Sequence, residues 1–243
     1  MFYNQLETEI ILPVYNEEEI LEKNTLCVKD VLEKNNFRFV ISIVDNGSTD
    51  ATFEIAKNLA KIFSNILAFR LKEKGRGGAL RFRILGSTCP IIGYMDIDLS
   101  TDPANFLTMY SQIDNGYDII MGSRLLPPLA VKRKLLRKAL SRAYSRIVRS
   151  FLNLPFLDYQ CGLKLFRRDR ILTLMPSIKN NSWFFDTELI FCAYREGLRI
   201  KEFGVTWKES ERKSKVNVIN TVFDDIKFML SLKRPGKSRA IKG

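Results

Sequence analysis

The sequence contains no histidine among its 243 residues. That absence excludes histidine-ligated zinc and serine–histidine–aspartate catalysis. The four cysteines, Cys27, Cys89, Cys161 and Cys192, are scattered and form no Cys-x-x-Cys pair. They read as reduced, mostly buried thiols rather than a disulfide framework. No apolar run approaches the roughly 20 residues that a membrane-spanning helix requires. The opening stretch, "MFYNQLETE", has no basic segment followed by an apolar one, so no secretory signal is read there. The chain is therefore expected on the cytoplasmic side, peripheral to a membrane rather than across it. Acids are scarce too: 27 against 39 lysines and arginines, a formal net charge of +12. From Ile119 to Leu157 there is no Asp or Glu beside nine basic residues. Such a surplus suits an anionic partner: a phosphate-bearing substrate, an anionic membrane surface or nucleic acid.

What is present reads as a folded α/β chain. "TEIILPVYNEE" opens with an apolar strand that breaks at Pro13. In "EEEILEKNTLCVKDVLEKN", Ile20, Leu21, Val28, Val31 and Leu32 share one helical face. "FRFVISIVDNGSTD" is a second strand, with Ser48 or Thr49 as the cap of the helix "ATFEIAKNLAKIF". "NILAFRL" is a third strand, and "GRGGALRFRILGS" a glycine-rich turn entering a helix. "PIIGYMDID" is a fourth strand, "PANFLTMYSQID" a helix and "YDIIMGSR" a fifth strand. Strands alternating with helices at this spacing imply right-handed crossovers and a mostly parallel sheet flanked by helices. The polar clusters "PVYNE", "DNGSTD", "DIDLS" and "GSR" all fall at strand carboxyl ends, where such sheets bind ligands.

Beyond residue 124, "VKRKLLRKALSRAYSRIVRSFLN" is a basic amphipathic helix, suited either to an anionic membrane or to packing its apolar stripe on the sheet. "DYQCGLKLFRRD" is a turn into a short strand; "WFFDTELIFCAYREGLRIKEFGVTW" is a helix followed by an edge strand. The last residues read as a short amphipathic helix and a basic, disordered end. The domain assignment is one domain over 1–215, divided at about 123/124 into a nucleotide-sugar half and an acceptor half, with a C-terminal appendage over 216–243.

"GYMDIDLSTDP" packs three carboxylates into seven positions. Strand alternation would send Asp96 and Asp98 to one face. Two carboxylates about 4 Å apart repel by roughly 4 kcal/mol at an effective dielectric near 20. Either a cation neutralises them, or they are solvated loop acids that never approach each other. Asp102 reads as a helix cap or first-turn acid.

"ILPVYNEEE", "VDNGSTD", "KGRGGALR", "DIDLSTDP" and "GSR" occur in the order seen in inverting family-2 glycosyltransferases of the GT-A fold. "DYQCGLKLFRRD", "WFFDTELI" and "VTWKESERKSKVNVI" resemble the polyprenyl-phosphate sugar transferases, the dolichyl-phosphate β-glucosyltransferase branch first and the mannosyltransferases next. The resemblance implies a Rossmann-like GT-A domain in which Asp96 and Asp98 hold Mg²⁺ or Mn²⁺ on a nucleotide diphosphate, Asp98 as the direct ligand. Hard oxygen donors suit those ions. It further implies that Pro13, Tyr15, Glu17, Asp45, Arg76, Asp96 and Lys215 bind the nucleotide sugar. Asp45 would take a hydrogen bond from the base, and Arg76 would supply positive charge in place of a usual lysine. Asn46 stands where the common pattern has a second Asp, and Ser100 where mannosyltransferases often carry Gln. Arg124, with Arg137 and Ser141, would meet the acceptor lipid phosphate.

On this resemblance, Asp96, Asp98 and Arg124 carry the catalysis. The activity implied is inverting transfer of a hexose from UDP-glucose first, or GDP-mannose next, to a polyprenyl (dolichyl-type) phosphate at a membrane surface, alone or with a membrane protein partner. An acceptor phosphate is already ionised and needs no strong base. Two alternatives remain at this point. A sugar-hydroxyl acceptor would require a base, for which Asp186 is the candidate. A non-catalytic nucleotide-sugar or nucleic-acid binder is the other; nucleic acid is disfavoured because the strand-end acids would repel a phosphate backbone.

Overall fold

A computed structural model describes residues 7–127, 131–132, 135–208, 225–230 and 232, with the backbone alone for 131–132 and 135–141. The elements are β1 (Thr8–Val14), α1 (Leu21–Lys34), β2 (Phe39–Asn46), α2 (Thr52–Ile62), β3 (Ile66–Leu71), α3 (Arg76–Gly86), β4 (Ile91–Tyr94), α4 (Asn105–Asp114), β5 (Ile119–Ser123), β6 (Val131–Lys132), α5 (Leu135–Leu152), β7 (Lys164–Arg167), α6 (Arg168–Leu172), α7 (Phe185–Arg195), β8 (Ile200–Gly204) and β9 (Trp207–Lys208). One sheet runs β3-β2-β1-β4-β7-β5-β8, and β6 pairs with β9 in a second, two-stranded one. Within the large sheet only β7 is antiparallel, to both β4 and β5. The mostly parallel sheet and the β8 edge agree with the sequence reading.

β1 shows why the sheet is covered on both faces. All seven of its residues are buried, as expected of a central parallel strand with helices on each side. Ile10, Leu12 and Val14 join one core cluster with Leu21, Val28 and Leu32 of α1, Leu59 of α2 and Phe106 and Met109 of α4. Ile11 points the other way, into a second cluster with Leu80 and Ile84 of α3, Val148 and Leu152 of α5 and Leu189 and Ile190 of α7. The described half of α5 therefore turns its apolar stripe inward; only Ile147 of that stripe's large residues stands exposed.

Three local expectations are corrected. The first strand does not break at Pro13; it continues to Val14 beside β2. Pairing with β4 has ended by Ile11–Tyr94, so β1 and β4 part there and the missing N–H of proline is tolerated. Neither Ser48 nor Thr49 caps α2. The N-cap is Ala51, which has no polar side chain to cap with; Asp50 before it accepts the Thr52 N–H at 3.0 Å and the Thr52 hydroxyl through its Oδ1. The fourth strand stops at Tyr94, so strand alternation does not orient Asp96 and Asp98.

All four cysteines are free. No helix among the described residues is long and apolar enough to cross a membrane.

α3 is bound to the sheet by a buried ion pair. Arg83 donates from Nε to Glu9 Oε1 at 2.7 Å and from its terminal nitrogen to Oε2 at 2.8 Å, while the Ser42 hydroxyl donates to the same carboxylate. Removing one partner of such a pair leaves an uncompensated buried charge. Arg83→Met is expected to destabilise the fold by about 3–5 kcal/mol in urea unfolding, whereas Glu9→Met/Arg83→Met, which removes both charges, falls much closer to the wild type.

Candidate active site

The carboxyl ends of β1 and β2 are stitched together. Asn16, in the left-handed region at φ 54°, donates its N–H to Ser48 Oγ at 2.8 Å. Its side-chain oxygen accepts the Thr49 N–H at 2.8 Å, and the Glu17 N–H reaches Thr52 Oγ1 at 2.7 Å. The loop bearing Pro13, Tyr15 and Glu17 is thus held against the one bearing Asp45. Asp45 is fully buried. Its Oδ1 accepts the Ser48 N–H at 3.0 Å. Its Oδ2 lies 3.3 Å from Arg70 Nε but outside hydrogen-bond alignment, and has no hydrogen-bond partner among the described residues. A buried carboxylate oxygen without a donor is an uncommon feature that asks for a ligand.

Asn46 is a structural tie. Its amide donates to Val14 O at 2.8 Å and accepts the Gly75 N–H at 3.2 Å. A carboxylate could do only the second, which accounts for an amide at this position. Next to it, the Lys74 ammonium sits 3.8 Å over the Tyr15 ring.

The glycine turn places Arg76 at the start of α3. A side chain at Gly77 would strike Phe185 Cβ at 2.6 Å and Ser182 O at 2.8 Å; the turn's glycine lets α3 approach α7. Arg76 is buried. It donates to Asp96 Oδ1 from Nε at 3.1 Å and from one terminal nitrogen at 3.0 Å, and to Asp186 Oδ2 from the other. Its guanidinium also lies against the rings of Tyr94 and Trp183.

Asp186 is buried and accepts from Lys164 Nζ at 2.7 Å and from the Tyr94 hydroxyl. Burial alone would raise its pKa, but Arg76 and Lys164 outweigh burial and hold it below the ordinary carboxylate value. Lys164 has no exposed surface; it also donates to Tyr159 O at 3.0 Å and Cys161 O at 2.8 Å.

Asp96 faces Gly162. A Cβ there would come within 1.9 Å of Asp96 Oδ2, so the carboxylate fills the space that glycine leaves. Asp98 is more exposed. Its oxygens accept the Ser100 N–H and hydroxyl, each at 2.9 Å. Leu99 between them sits at φ 50°, a strained backbone for a bulky residue. Loss of solvent and then the charge of Asp96 raise the Asp98 pKa. A cation at Asp98 would offset that repulsion. The oxygen donor set fits a hard divalent ion completed by phosphate and water. Asp96, bound to Arg76, has less to offer such an ion. No group of three or more potential metal ligands exists among the described residues.

On the β5 side, Arg124 forms a fork with Asp158: Nε to Oδ2 at 2.7 Å, a terminal nitrogen to Oδ1 at 2.7 Å, with the Arg124 backbone N–H to Oδ2 at 2.9 Å. Glu202 in turn accepts the Asp158 N–H at 2.7 Å. Lys215 lies outside the described residues, as do the side chains of Arg137 and Ser141. Glu188 accepts the N–H groups of Lys179 and Asn180, and Asp102 that of Ala104 before α4; both act in the scaffold. Sequence reasoning passed over Tyr94, Asp158, Gly162 and Lys164 as site residues. The available signal was a lysine inside the otherwise apolar run "LKLF" and a glycine two residues before it.

Residues 9–172 match the family described as Glycosyl transferase family 2. The chain is 33% identical over 221 residues to glycosyltransferase AglD of Haloferax volcanii, covering 89% of this chain but 35% of that protein. It is 31% identical over 221 residues to dolichyl-phosphate beta-glucosyltransferase ALG5D of Trichomonas vaginalis, covering 85% of this chain and 67% of that one. Among solved structures, it resembles glucosyl-3-phosphoglycerate synthase from Mycobacterium tuberculosis in complex with Mn²⁺, UDP and glucosyl-3-phosphoglycerate. The TM-score is 0.70 at 17% identity, over 93% of this chain and 79% of that one, a likeness of fold.

Two outcomes follow from the geometry. Gly162→Ala is expected to drive Asp96 from its place, cutting any turnover at this site by roughly tenfold or more while circular dichroism stays native. Asp158, buried, is kept below its ordinary value of 3.8 by Arg124 in spite of desolvation. A depressed folded-state pKa gives stability that is complete above the unfolded value and is lost as pH falls through the folded one. Urea midpoints are therefore expected to fall below about pH 4, and Asp158→Asn, less stable at neutral pH, to show a shallower decline.

Proposed function

The chain belongs to glycosyl transferase family 2, and we propose that it transfers a hexose from a nucleotide diphosphate sugar to a polyprenyl phosphate, with inversion at the anomeric carbon. Glucose from UDP-glucose is the first choice of donor, since relatives at about 30% identity are dolichyl-phosphate beta-glucosyltransferases; mannose from GDP-mannose is the second.

The observation that carries the acceptor choice is the state of Asp186. A hydroxyl acceptor requires a proton acceptor at the site. Asp186, the candidate base, already receives Arg76, Lys164 and Tyr94, and its pKa is depressed. Such a carboxylate is a poor base. A phosphate acceptor arrives ionised, so positioning and charge stabilisation suffice.

The residues take these roles in the proposal. The Oδ2 of Asp45, ion-paired with Arg70 but without a hydrogen-bond donor among the described residues, accepts an N–H from the nucleotide base, beside Pro13, Tyr15 and Glu17. Asp98, with Asp96 behind it, holds Mg²⁺ or Mn²⁺; bound there, the ion supplies Lewis-acid stabilisation of the departing diphosphate. Arg76, with all three nitrogens committed to Asp96 and Asp186, orients Asp96 beside the donor. Arg124 is pre-oriented by Asp158, which leaves one terminal nitrogen for the acceptor phosphate; Arg137, Ser141 and Lys215 are proposed to add positive and hydroxyl donors. The cationic excess of the chain suits an anionic membrane surface, where the lipid tail would stay in the bilayer.

Purified protein with Mg²⁺ or Mn²⁺ and a short polyprenyl phosphate in detergent is offered UDP-glucose, UDP-N-acetylglucosamine, UDP-galactose and GDP-mannose separately. A metal-dependent glycolipid from UDP-glucose is expected, and Asp98→Ala is expected to abolish it without unfolding the chain. Full activity of Asp98→Ala with an unchanged metal requirement would overturn the metal assignment. Transfer to a free sugar hydroxyl but not to the lipid phosphate would overturn the acceptor.

A further inference from the structure

The segment at 225–230 lies outside the part of the chain that matches the family, yet it is built into the back of the candidate site. Asp225 is 3% exposed. Its Oδ2 accepts the Tyr144 hydroxyl at 2.8 Å and Gln160 Nε2 at 2.6 Å. Gln160 Nε2 also lies 3.2 Å from the Tyr144 hydroxyl, and that hydroxyl is 3.4 Å from Thr187 Oγ1. Burial and then the charge of Asp225 push the Tyr144 pKa well up, so the phenol remains a donor. Three residues beyond Asp225, Phe228 stacks on Phe184, with centroids 6.1 Å apart and planes at 19°. Met229 joins the core cluster that holds Phe184 and Phe185.

Each anchor is next in the chain, or nearly so, to a group that orders the site. Thr187 follows Asp186. Phe184 follows Trp183, whose indole lies 5.3 Å from the Arg76 guanidinium. Gln160 precedes by two residues the Gly162 that cradles Asp96. We propose that Asp225 is a positioning residue: it clamps the 225–230 segment onto α5, α7 and the Gln160 turn, and through them fixes Trp183, Asp186 and Gly162 around Arg76 and Asp96. Without Asp225, Gln160 Nε2 and the Tyr144 hydroxyl lose their shared charged acceptor and keep only the longer contacts to each other at 3.2 Å and to Thr187 Oγ1 at 3.4 Å, a loss the surrounding turn relieves by moving.

The assignment rests on the reading of the site given above only for its activity arm. The chain has two tryptophans, Trp183 and Trp207, so Trp207→Phe leaves Trp183 as the sole reporter. In that background, Asp225→Ala is expected to shift Trp183 emission and raise its acrylamide quenching, with far-UV circular dichroism and cooperative melting retained. Glucosyl transfer is expected to drop by about tenfold, chiefly in kcat. Asp225→Asn, whose carbonyl oxygen can still accept both bonds, is expected to restore most of both signals. Tyr144→Phe, which keeps the ring and removes one bond, is expected to give a smaller change of the same sign, and it decides the matter if Asp225→Ala does not fold. Unchanged Trp183 emission and quenching in the folded variant sinks the proposal. If the parent protein transfers no sugar, the fluorescence arm decides alone, and the failure is that of the proposed function.

Discussion

The buried charge cluster around Asp186 is the constraint on which the rest of the site depends. A carboxylate withdrawn from water survives as an anion only with cations and donors against it. Here Arg76 comes from the start of α3, Lys164 from β7, Tyr94 from the end of β4 and Asp186 itself from the first turn of α7. Those elements are far apart in sequence. The cluster forms only if β7 inserts antiparallel beside β4, and only if the glycine turn lets α3 approach α7. Removing any one member leaves another buried charge exposed to the penalty.

Charge counting within the cluster shows where its surplus lies. Arg76 and Lys164 bring two positive charges, and Asp186 and Asp96 two negative ones, so the inner group is balanced. Asp98 is the addition, more exposed than Asp96 and with a pKa raised partly by Asp96. Within this group of described residues, a chain of net charge +12 thus carries its surplus negative charge at Asp98, after the central strand. The proposed metal would sit there, while the cationic excess elsewhere would serve phosphate or an anionic surface. Arg124 follows a similar logic: Asp158 orients the guanidinium and consumes two of its three nitrogens.

The sequence made the sheet legible because burial on both faces leaves apolar runs, and helices between them carry a 3.6-residue period. It also marked the strand-end loops, since Tyr15, Glu17, Asp45, Asp96 and Asp98 stand directly after such runs. What it did not disclose was partnership. Arg76 and Asp186 are 110 positions apart, and nothing in either neighbourhood names the other. Lys164 stands in an apolar run, but nothing in that run names Asp186 as the partner with which the fold buries it. Ser48 was a plausible helix cap, but competition from Asn16 across the β1 loop took its hydroxyl and left the start of α2 to Asp50. The acids of "DIDLS" were read by strand alternation, yet the strand ends before them and a left-handed Leu99 sets their geometry.

The same cluster bears on the chemistry through what it makes unavailable. A base must have an open lone pair and a pKa near working pH. Asp186 is poorly suited on both counts: three donors, two of them cations, already engage its two oxygens, and its pKa is held below the ordinary carboxylate value. Asp96 has one oxygen held by Arg76 and the other pressed against Gly162. Asp158 is committed to Arg124. Of the remaining strand-end acids, Asp45 and Asp98 are assigned in the proposal to base and metal contacts, and Glu17 to the nucleotide beside them. With no histidine in the chain, these groups supply no well-placed proton acceptor, and a nucleophile that brings its own negative charge is the one for which this arrangement is suited. An ionised phosphate meets that condition, and the fixed guanidinium of Arg124 is where its charge would be met.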